Sequence, residues 1–199
     1  MVVALMRSGA VPARTRRVSR CHRGTLRAMR LLIVRHAKAF ERDPVRWPDD
    51  SRRPLTEDGV EAFGRMARRL RRFVEAPARV LASSWDRAWQ TAELLESEAR
   101  WPSPEREALL EDAEETPAFS GLFERFRTER SADAIALVGH EPFLSRFASM
   151  LLCGRGDGAA IEVRKGAVLE FELDPEAPVG ATLSMLVHPG AFRRRRNKV

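Results

Sequence analysis

The chain has 199 residues, of which 44% are hydrophobic, and its formal net charge is +7. This length and composition suit one globular domain with a sizeable core. No apolar run approaches the roughly 20 residues of a membrane-spanning helix, so the sequence predicts a soluble protein without a membrane partner. Two scattered cysteines, Cys21 and Cys153, exclude a disulfide framework and suit the reducing cytoplasm, where we expect the protein.

The positive charge is concentrated at the two ends of the chain. Residues 1–28 hold seven arginines and no acid, and residues 193–199 hold four arginines and Lys198. Subtracting these twelve charges from +7 leaves residues 29–192 at −5. This acidic body argues against a nucleic-acid-binding domain, which would carry a basic patch on its folded surface.

The charge pattern divides the chain into three predicted segments. We expect a single folded domain over 29–192 and a solvated basic tail over 193–199. Residues 1–28 have the composition of a transit peptide, but we favour a disordered extension, because the first predicted strand follows Met29 at once.

Apolar runs and helical spacing predict alternating strands and helices. Thr56 resembles an N-cap, because Glu57 and Asp58 follow it in the first helical turn. In chain order the predicted elements are a strand at about 30–35, a loop over 37–55, a helix to about Phe73, a strand over 79–83, a helix over about 85–99, a connection over 100–116, a helix over 117–129, a strand ending at Gly139, a helix from Pro142 to about Leu152, and strands over 160–164, 167–173 and 182–188. This alternation predicts an α/β fold with helices on both faces of a partly parallel sheet that has an antiparallel edge.

Two of the predicted strands end in histidine. One apolar run delivers Arg35 and His36, and a second, about a hundred residues later, delivers Gly139 and His140. Ligands bind outside the carboxyl ends of parallel strands, so two such strands would bring two imidazoles to one cleft. The Arg-His dipeptide alone is weak, because a chain so rich in arginine supplies it by chance.

Arg87 joins this group, since it falls in an early turn of the helix that follows the second strand. Two arginines and two histidines at one sheet edge would suit a dianion, because guanidinium binds phosphate oxygens bidentately and imidazole serves as nucleophile or donor. The chain shows no cluster of metal ligands with the usual spacing, so we predict no metal.

Four motifs in this order resemble the histidine phosphatase superfamily, the phosphoglycerate mutase-like phosphatases. The motifs are Arg35-His36-Ala37, Arg53-Pro54-Leu55-Thr56 with Gly59, Ser83 through Arg87-Ala88 with Gln90-Thr91-Ala92, and Val138-Gly139-His140-Glu141-Pro142. The compact length and the Arg-Pro-Leu-Thr segment most resemble the SixA-like branch, the protein phosphohistidine phosphatases. The resemblance implies a three-layer α/β/α sandwich with a mostly parallel central sheet, and a catalytic role for residues 29–192.

The resemblance also implies roles for individual residues. His36 would attack phosphorus and form a phosphohistidine intermediate, while Arg35, Arg87 and His140 would hold the phosphoryl oxygens. Arg53 is a further candidate for substrate binding, with a structural role in its loop as the alternative. No cofactor is implied.

Two departures from the family pattern affect the site. Trp85 follows Ser84 where the family often has proline, and it could reshape the pocket wall. Glu111 offers only a partial counterpart of the family's acidic residue, and it is the candidate general acid. We interpret His188, after the last strand, as structural.

Three hypotheses for function remain open. The first is a metal-independent phosphatase that removes phosphate from phosphohistidine in a partner protein. The second keeps this mechanism but takes a small phosphorylated metabolite. The third is a phospho-ligand-binding or nucleic-acid-binding module without turnover, which the basic ends and the uncertain general acid favour.

Overall fold

The structure is a computed structural model that describes residues 29–111, 119, 121–122, 134–173 and 180–192. The predictions for both basic ends lie outside these residues, as does most of the helix predicted over 117–129. Phe119 and Leu122, which are described, are helical and buried.

Six strands form one mixed sheet. They are β1 Met29–Arg35, β2 Arg79–Ala82, β3 Pro104–Arg106, β4 Ala134–Gly139, β5 Val168–Leu173 and β6 Thr182–Val187. Their order across the sheet is β3-β2-β4-β1-β5-β6. The first four in this order run parallel, and β5 and β6 add an antiparallel edge, as the sequence predicted.

The helices that the structure bounds cover both faces of this sheet. They are α1 Glu57–Leu70, α2 Asp86–Leu94 and α3 Phe143–Cys153. Alternate residues of β1 enter two separate cores, Leu32 and Val34 with α1 and α2, and Leu31 and Ile33 with α3. The strand is buried on both sides, which is why it appears as a continuous apolar run. The fold is therefore α/β, in the predicted three layers.

The loop after β1 is fixed closely against α1. Thr56 caps this helix, because its Oγ1 accepts a hydrogen bond from Gly59 N at 3.0 Å, and its own amide donates to Lys38 O at 3.0 Å. A Cβ on Gly59 would lie 2.0 Å from Lys38 O, so only glycine allows this approach. The cap therefore holds both ends of the loop near the sheet edge.

The strand predicted over 160–164 is wrong. These residues form an irregular segment in which Val163 is buried while Glu162 and Arg164 are exposed and pair with each other at 3.0 Å. The carbonyl of Val163 accepts a hydrogen bond from Arg35 Nη1 at 2.7 Å. The alternation that suggests a strand therefore reflects one inward valine between solvated charges.

Three further boundaries differ from the prediction. β3 lies within the predicted connection, and its sequence, Pro-Glu-Arg, has no apolar alternation that would reveal it. α1 ends three residues before Phe73, whose side chain is 54% exposed and outside the core. The helix predicted over 85–99 is regular to Leu94 and continues as a π-helical turn over Leu95–Ala99.

Candidate active site

The register between β1 and β4 places the two histidines side by side. Arg35 pairs with Gly139, so the next residue of each strand leaves the sheet at the same edge. The amide of His36 donates to Gly139 O at 3.0 Å, and the centroids of the His36 and His140 rings are 5.2 Å apart. The predicted meeting of two imidazoles at one sheet edge is thus present.

His36 is buried, with 6% of its surface exposed, and is held in one tautomer. Its Nδ1 lies 2.7 Å from Ala37 O. A carbonyl only accepts, so Nδ1 carries the proton and Nε2 keeps its lone pair. Burial lowers the pKa of His36 to about 3, and the charges of Arg87 and Arg35 act in the same direction. The ring is therefore neutral at neutral pH, and the lone pair of Nε2 is not protonated.

His140 is held by its other nitrogen. Its Nε2 lies 2.9 Å from the Oγ of Ser83, a fully buried residue at the end of β2. Burial lowers the pKa of His140 to about 2, with the His36 ring and the Arg87 charge as further causes. A hydroxyl both donates and accepts, so this contact allows either tautomer of His140.

The two predicted arginines reach the site from opposite sides. Arg35 ends β1 and is anchored through Nη1 to Val163 O, while burial lowers its pKa. Arg87, in the first turn of α2, is only 4% exposed. Burial first, and then the charge of Arg53, lower the pKa of Arg87 to about 10. Both guanidinium groups remain charged at neutral pH.

Arg53 reaches the site through Asp50. Its Nε and Nη2 donate to the two carboxylate oxygens of Asp50, at 2.8 and 3.2 Å, and its Nη1 donates to Phe40 O at 2.6 Å. The Arg87 Nη2 lies 3.2 Å from the same carboxylate. The hydrogen bond from Arg53 is the main cause that lowers the pKa of Asp50. The structure thus shows Arg53 bound to its loop, and its direct contact with substrate stays a prediction.

Trp85, which departs from the family pattern, lies against two predicted site residues. Its ring centroid is 4.8 Å from that of His140, and the Arg87 guanidinium carbon lies 4.5 Å from the indole. Such a distance suits a cation–π contact. The indole therefore forms part of the site's wall.

Two hydroxyl residues join the site without having been singled out from the sequence. Ser83 contacts His140 through its hydroxyl. Thr91, which is also fully buried, connects the residue after His36 to the backbone of Arg87. The Thr91 Oγ1 accepts from Ala37 N at 3.0 Å and donates to Arg87 O at 2.7 Å. Both residues stand inside the quoted motifs, but only the register of the sheet reveals what they touch.

The remaining acidic and histidine candidates have separate contacts. An oxygen of Glu111 accepts from Ser84 N at 3.3 Å, which places its carboxylate one residue from the serine that holds His140. His188 accepts from Gly190 N at 3.1 Å in the turn after β6, as a structural residue would.

Among the described residues no group of three or more metal-binding side chains is close enough to hold an ion. No described helix is long and apolar enough to cross a membrane.

The site concentrates buried side-chain nitrogens that have no hydrogen-bond partner among the described residues. Four buried side-chain nitrogens lack a partner among the described residues, and three of them are Arg35 Nε, Arg87 Nε and His140 Nδ1. The fourth is the indole nitrogen of Trp101. Each unpaired buried group costs about 1–3 kcal/mol, so three together indicate a place built for an acceptor-rich ligand. A tetrahedral oxyanion supplies such acceptors, and nearby guanidinium groups suit its charge.

Comparison with known proteins agrees with this geometry. Residues 31–117 match the family model of the histidine phosphatase superfamily (branch 1). An uncharacterized protein of Picosynechococcus is 31% identical over 142 residues, which cover 71% of this chain and 83% of the relative.

Solved structures share the fold at lower identity. The protein histidine phosphatase SixA complexed with tungstate superposes with a TM-score of 0.69 at 24% identity, covering 83% of this chain and 100% of SixA. The α-ribazole phosphatase of Shigella flexneri gives a TM-score of 0.63 at 19% identity, covering 81% and 97%. With the family-model match and the motifs in order around one site, the chain belongs to the histidine phosphatase superfamily, a superfamily of phosphatases.

Proposed function

We propose that this chain is a metal-independent phosphatase that carries the phosphoryl group transiently on His36. The observation that carries the proposal is the state of that ring: buried, neutral, and fixed by Ala37 O so that Nε2 keeps its lone pair. A neutral, oriented imidazole beside two guanidinium groups is what attack on a phosphate dianion requires.

Substrate binding uses the donors that the fold leaves unpaired. The phosphate oxygens take hydrogen bonds from Arg35 Nε and Arg87 Nε, and from the Nδ1 of His140 in the tautomer in which Ser83 donates to Nε2. These groups are already fixed by their other contacts, so little reorganisation accompanies binding. The positive charge of the two guanidinium groups offsets the charge on the equatorial oxygens, and this electrostatic stabilisation supplies most of the catalysis of phosphoryl transfer.

The reaction then proceeds in two displacements. His36 Nε2 attacks phosphorus in line, the bond from phosphorus to the leaving group breaks, and the leaving group departs with its electron pair and takes a proton from solvent. Water next attacks the phosphohistidine and gives up a proton to solvent, the phosphorus–nitrogen bond breaks with its electron pair returning to Nε2, and inorganic phosphate leaves while His36 returns to its neutral form. The same donors serve both steps, because the phosphoryl oxygens stay in place.

For the substrate we propose phosphohistidine in a partner protein. The resemblance to the SixA-like branch and the likeness to the SixA structure support this choice. An imidazole is a good leaving group, so the reaction needs little help from a strong general acid.

A small phosphorylated metabolite is the second candidate, and the position of Glu111 favours it. An alcohol leaving group requires a proton, and a carboxylate beside Ser84 is near enough to the site to be tested as its source. The likeness to an α-ribazole phosphatase also supports a small substrate.

Parallel assays on the full chain distinguish these substrates. A histidine-phosphorylated protein and a panel of phosphomonoesters would be compared at equal concentrations, with His36→Ala as the blank. We expect the phosphoprotein to be turned over fastest and Glu111→Gln to leave that rate nearly unchanged. Faster turnover of an ester, with a large loss in Glu111→Gln, would support the metabolite instead. Stoichiometric binding without turnover would mean a binding module and contradict the proposal.

We also propose that residues 29–192 form the one catalytic domain and that the enzyme acts in the cytoplasm without a cofactor. The two scattered cysteines support a reducing compartment, and the exposed Cys153 is a free thiol. Limited proteolysis of the full chain tests the domain limits. A stable, active core that begins near Met29 is the expected product.

A further inference from the structure

One acidic side chain stands between the arginines of the site. Asp50 lies in a short 3₁₀ turn over Asp50–Arg52, and its carboxylate contacts two guanidinium groups at once. Its Oδ1 accepts from Arg53 Nε at 2.8 Å, and its Oδ2 lies 3.2 Å from Nη2 of both Arg53 and Arg87. The backbone carbonyl of Asp50 takes a further hydrogen bond from Arg87 Nη1 at 2.8 Å.

These contacts occupy one part of the Arg87 guanidinium and leave another free. Both terminal nitrogens of Arg87 are engaged by Asp50, whereas its Nε has no partner among the described residues. Guanidinium presents its donors in a rigid plane, so holding the terminal nitrogens also fixes the direction of the Nε–H bond.

Arg53, the second arginine that contacts Asp50, is itself bound to the loop over 37–55. Arg53 Nη1 donates to Phe40 O, and the turn itself is capped by Asp49, whose Oδ1 accepts from Ser51 N at 3.0 Å. The chain from Phe40 O through Arg53 and Asp50 to Arg87 therefore consists of groups that are each fixed by a second contact.

We infer that Asp50 is a positioning residue that aims Arg87 at the substrate's phosphoryl group, and that Arg53 acts on the site through Asp50. This inference rests on the proposed function, because the target of Arg87 is the phosphoryl oxyanion. Asp50 itself does not bind the substrate, since its carboxylate would repel a dianion.

Two effects of Asp50 on anion binding have opposite signs, which makes the inference testable. If its charge alone mattered, removing that charge would make the site more positive and tighten the binding of an oxyanion. If its contacts orient Arg87, removing them weakens binding. Asparagine keeps the size of the side chain, but its amide nitrogen must face a guanidinium nitrogen, donor against donor.

The probe is tungstate, and its dissociation constant would be measured by titration calorimetry with the full chain. We expect Asp50→Asn to weaken tungstate binding about tenfold or more and to lower kcat, because small displacements of a positioned group are costly. The matched control is Asp49→Asn, which removes the same charge one residue earlier. Asp49 contacts Ser51 instead of the arginines, and an asparagine oxygen can still accept from Ser51 N and cap the turn. The control should stay within about twofold of the wild type.

Unchanged or tighter tungstate binding by Asp50→Asn would overturn the inference. Thermal unfolding of each variant shows whether the fold is intact, and Arg53→Met gives a second route if Asp50→Asn is unstable. Arg53→Met should weaken tungstate binding in the same direction, and the double variant should be no weaker than the worse single variant. Additive losses would mean that Arg53 touches the oxyanion directly, which contradicts its action through Asp50.

The outcome does not depend on turnover. If the wild type binds tungstate but hydrolyses no phosphorylated substrate, the proposed function fails while the tungstate comparison still decides the role of Asp50. If the wild type hydrolyses substrate and Asp50→Asn binds tungstate normally, only the positioning role fails.

Discussion

The carboxyl ends of β1 and β4 present the same side chain at the same sheet edge, but they hold it by different nitrogens. His36 is bound through Nδ1 to a backbone carbonyl, and His140 is bound through Nε2 to a serine hydroxyl. A carbonyl accepts only, so it fixes the proton on His36, whereas a hydroxyl adapts to either tautomer of His140. One hydrogen bond to each ring thus gives the two histidines different chemistry. The first is suited to attack, and the second to donate or accept during the reaction.

The largest expected effect is the loss of activity in His36→Ala, and formation of a phosphoenzyme distinguishes His36 from His140. His36→Ala should lower phosphatase activity about 10,000-fold or more, because the proposed nucleophile is lost. Quenching with ³²P-labelled substrate under conditions that preserve phosphohistidine should show a labelled chain in the wild type and none in His36→Ala. Normal labelling of the His36→Ala protein would contradict the assignment.

His140→Ala should be slower but should still be labelled. The loss of a donor to the phosphoryl oxygens is expected to lower kcat about 100- to 1,000-fold. Rapid-quench measurement of the phosphoenzyme distinguishes the two roles, since this variant forms the intermediate slowly and His36→Ala does not form it. Complete loss of the phosphoenzyme in His140→Ala would contradict the different roles proposed for the two histidines.

The acid stability of the protein tests what the two histidines share. Their folded pKa values, about 3 and about 2, lie below the ordinary value near 6.5, so the unfolded chain takes up protons first as pH falls. The free energy of unfolding should therefore be fully maintained above pH 6.5 and should decrease below it, by at most about 2 kcal/mol per histidine at pH 5. Urea unfolding between pH 7.5 and 5 measures this, and a flat profile would contradict the burial of both neutral rings.

Substitutions at Thr91 test the hydrogen bond that holds the backbone next to His36, in which Ala37 N donates to Thr91 Oγ1. Thr91→Val leaves the buried amide of Ala37 without its acceptor and should reduce the free energy of unfolding by about 1–3 kcal/mol. Thr91→Ser keeps the hydroxyl and serves as the control, with a smaller loss. A loss in Thr91→Val that is no larger than the loss in Thr91→Ser, measured by urea unfolding, would contradict the role of the hydroxyl.

Ser83 tests the corresponding support beneath His140, where we expect the smallest effect. Ser83→Ala frees the Nε2 of His140 and should lower kcat about tenfold with little change in KM. Ser84→Ala is the neighbouring control and should leave kcat within about twofold, because the contact that Ser84 makes with Glu111 uses its backbone amide. An equal effect of both substitutions would show that the Ser83 hydroxyl does not orient the histidine.

The sequence predicted the parts of this site that depend on periodicity and failed where contacts depend on the path of a loop. Apolar runs placed His36 and His140 at strand ends, and the helix after β2 placed Arg87, because strands and helices have fixed geometry. The position of Asp50 depends on how the loop over 37–55 returns to the sheet, for which no periodic pattern exists. The prediction over 160–164 failed for a related reason. Val163 is buried, but its carbonyl accepts a hydrogen bond from Arg35 Nη1, and the segment forms no strand.

The contact between Asp50 and Arg53 and the pairing of the two histidine-bearing strands differ in the sequence separation of their partners. Asp50 and Arg53 are three residues apart, so their contact can form locally. The two histidines are joined only after β1 and β4, about a hundred residues apart, have paired. Local contacts of this kind form early in folding, and distant pairings form late.

The central position of β1 has a consequence for synthesis of the protein on the ribosome. This strand is the first of the sheet to be made, yet both of its neighbours, β4 and β5, are made more than a hundred residues later. The backbone around His36 is also completed late, since Arg35 N donates to Ala167 O and Gly166 N donates to His36 O. A growing chain therefore exposes an apolar strand until β4 and β5 emerge, and the surroundings of His36 are incomplete until then. Phosphatase activity should appear only after β5 has been synthesised, so products truncated before β5 would be inactive.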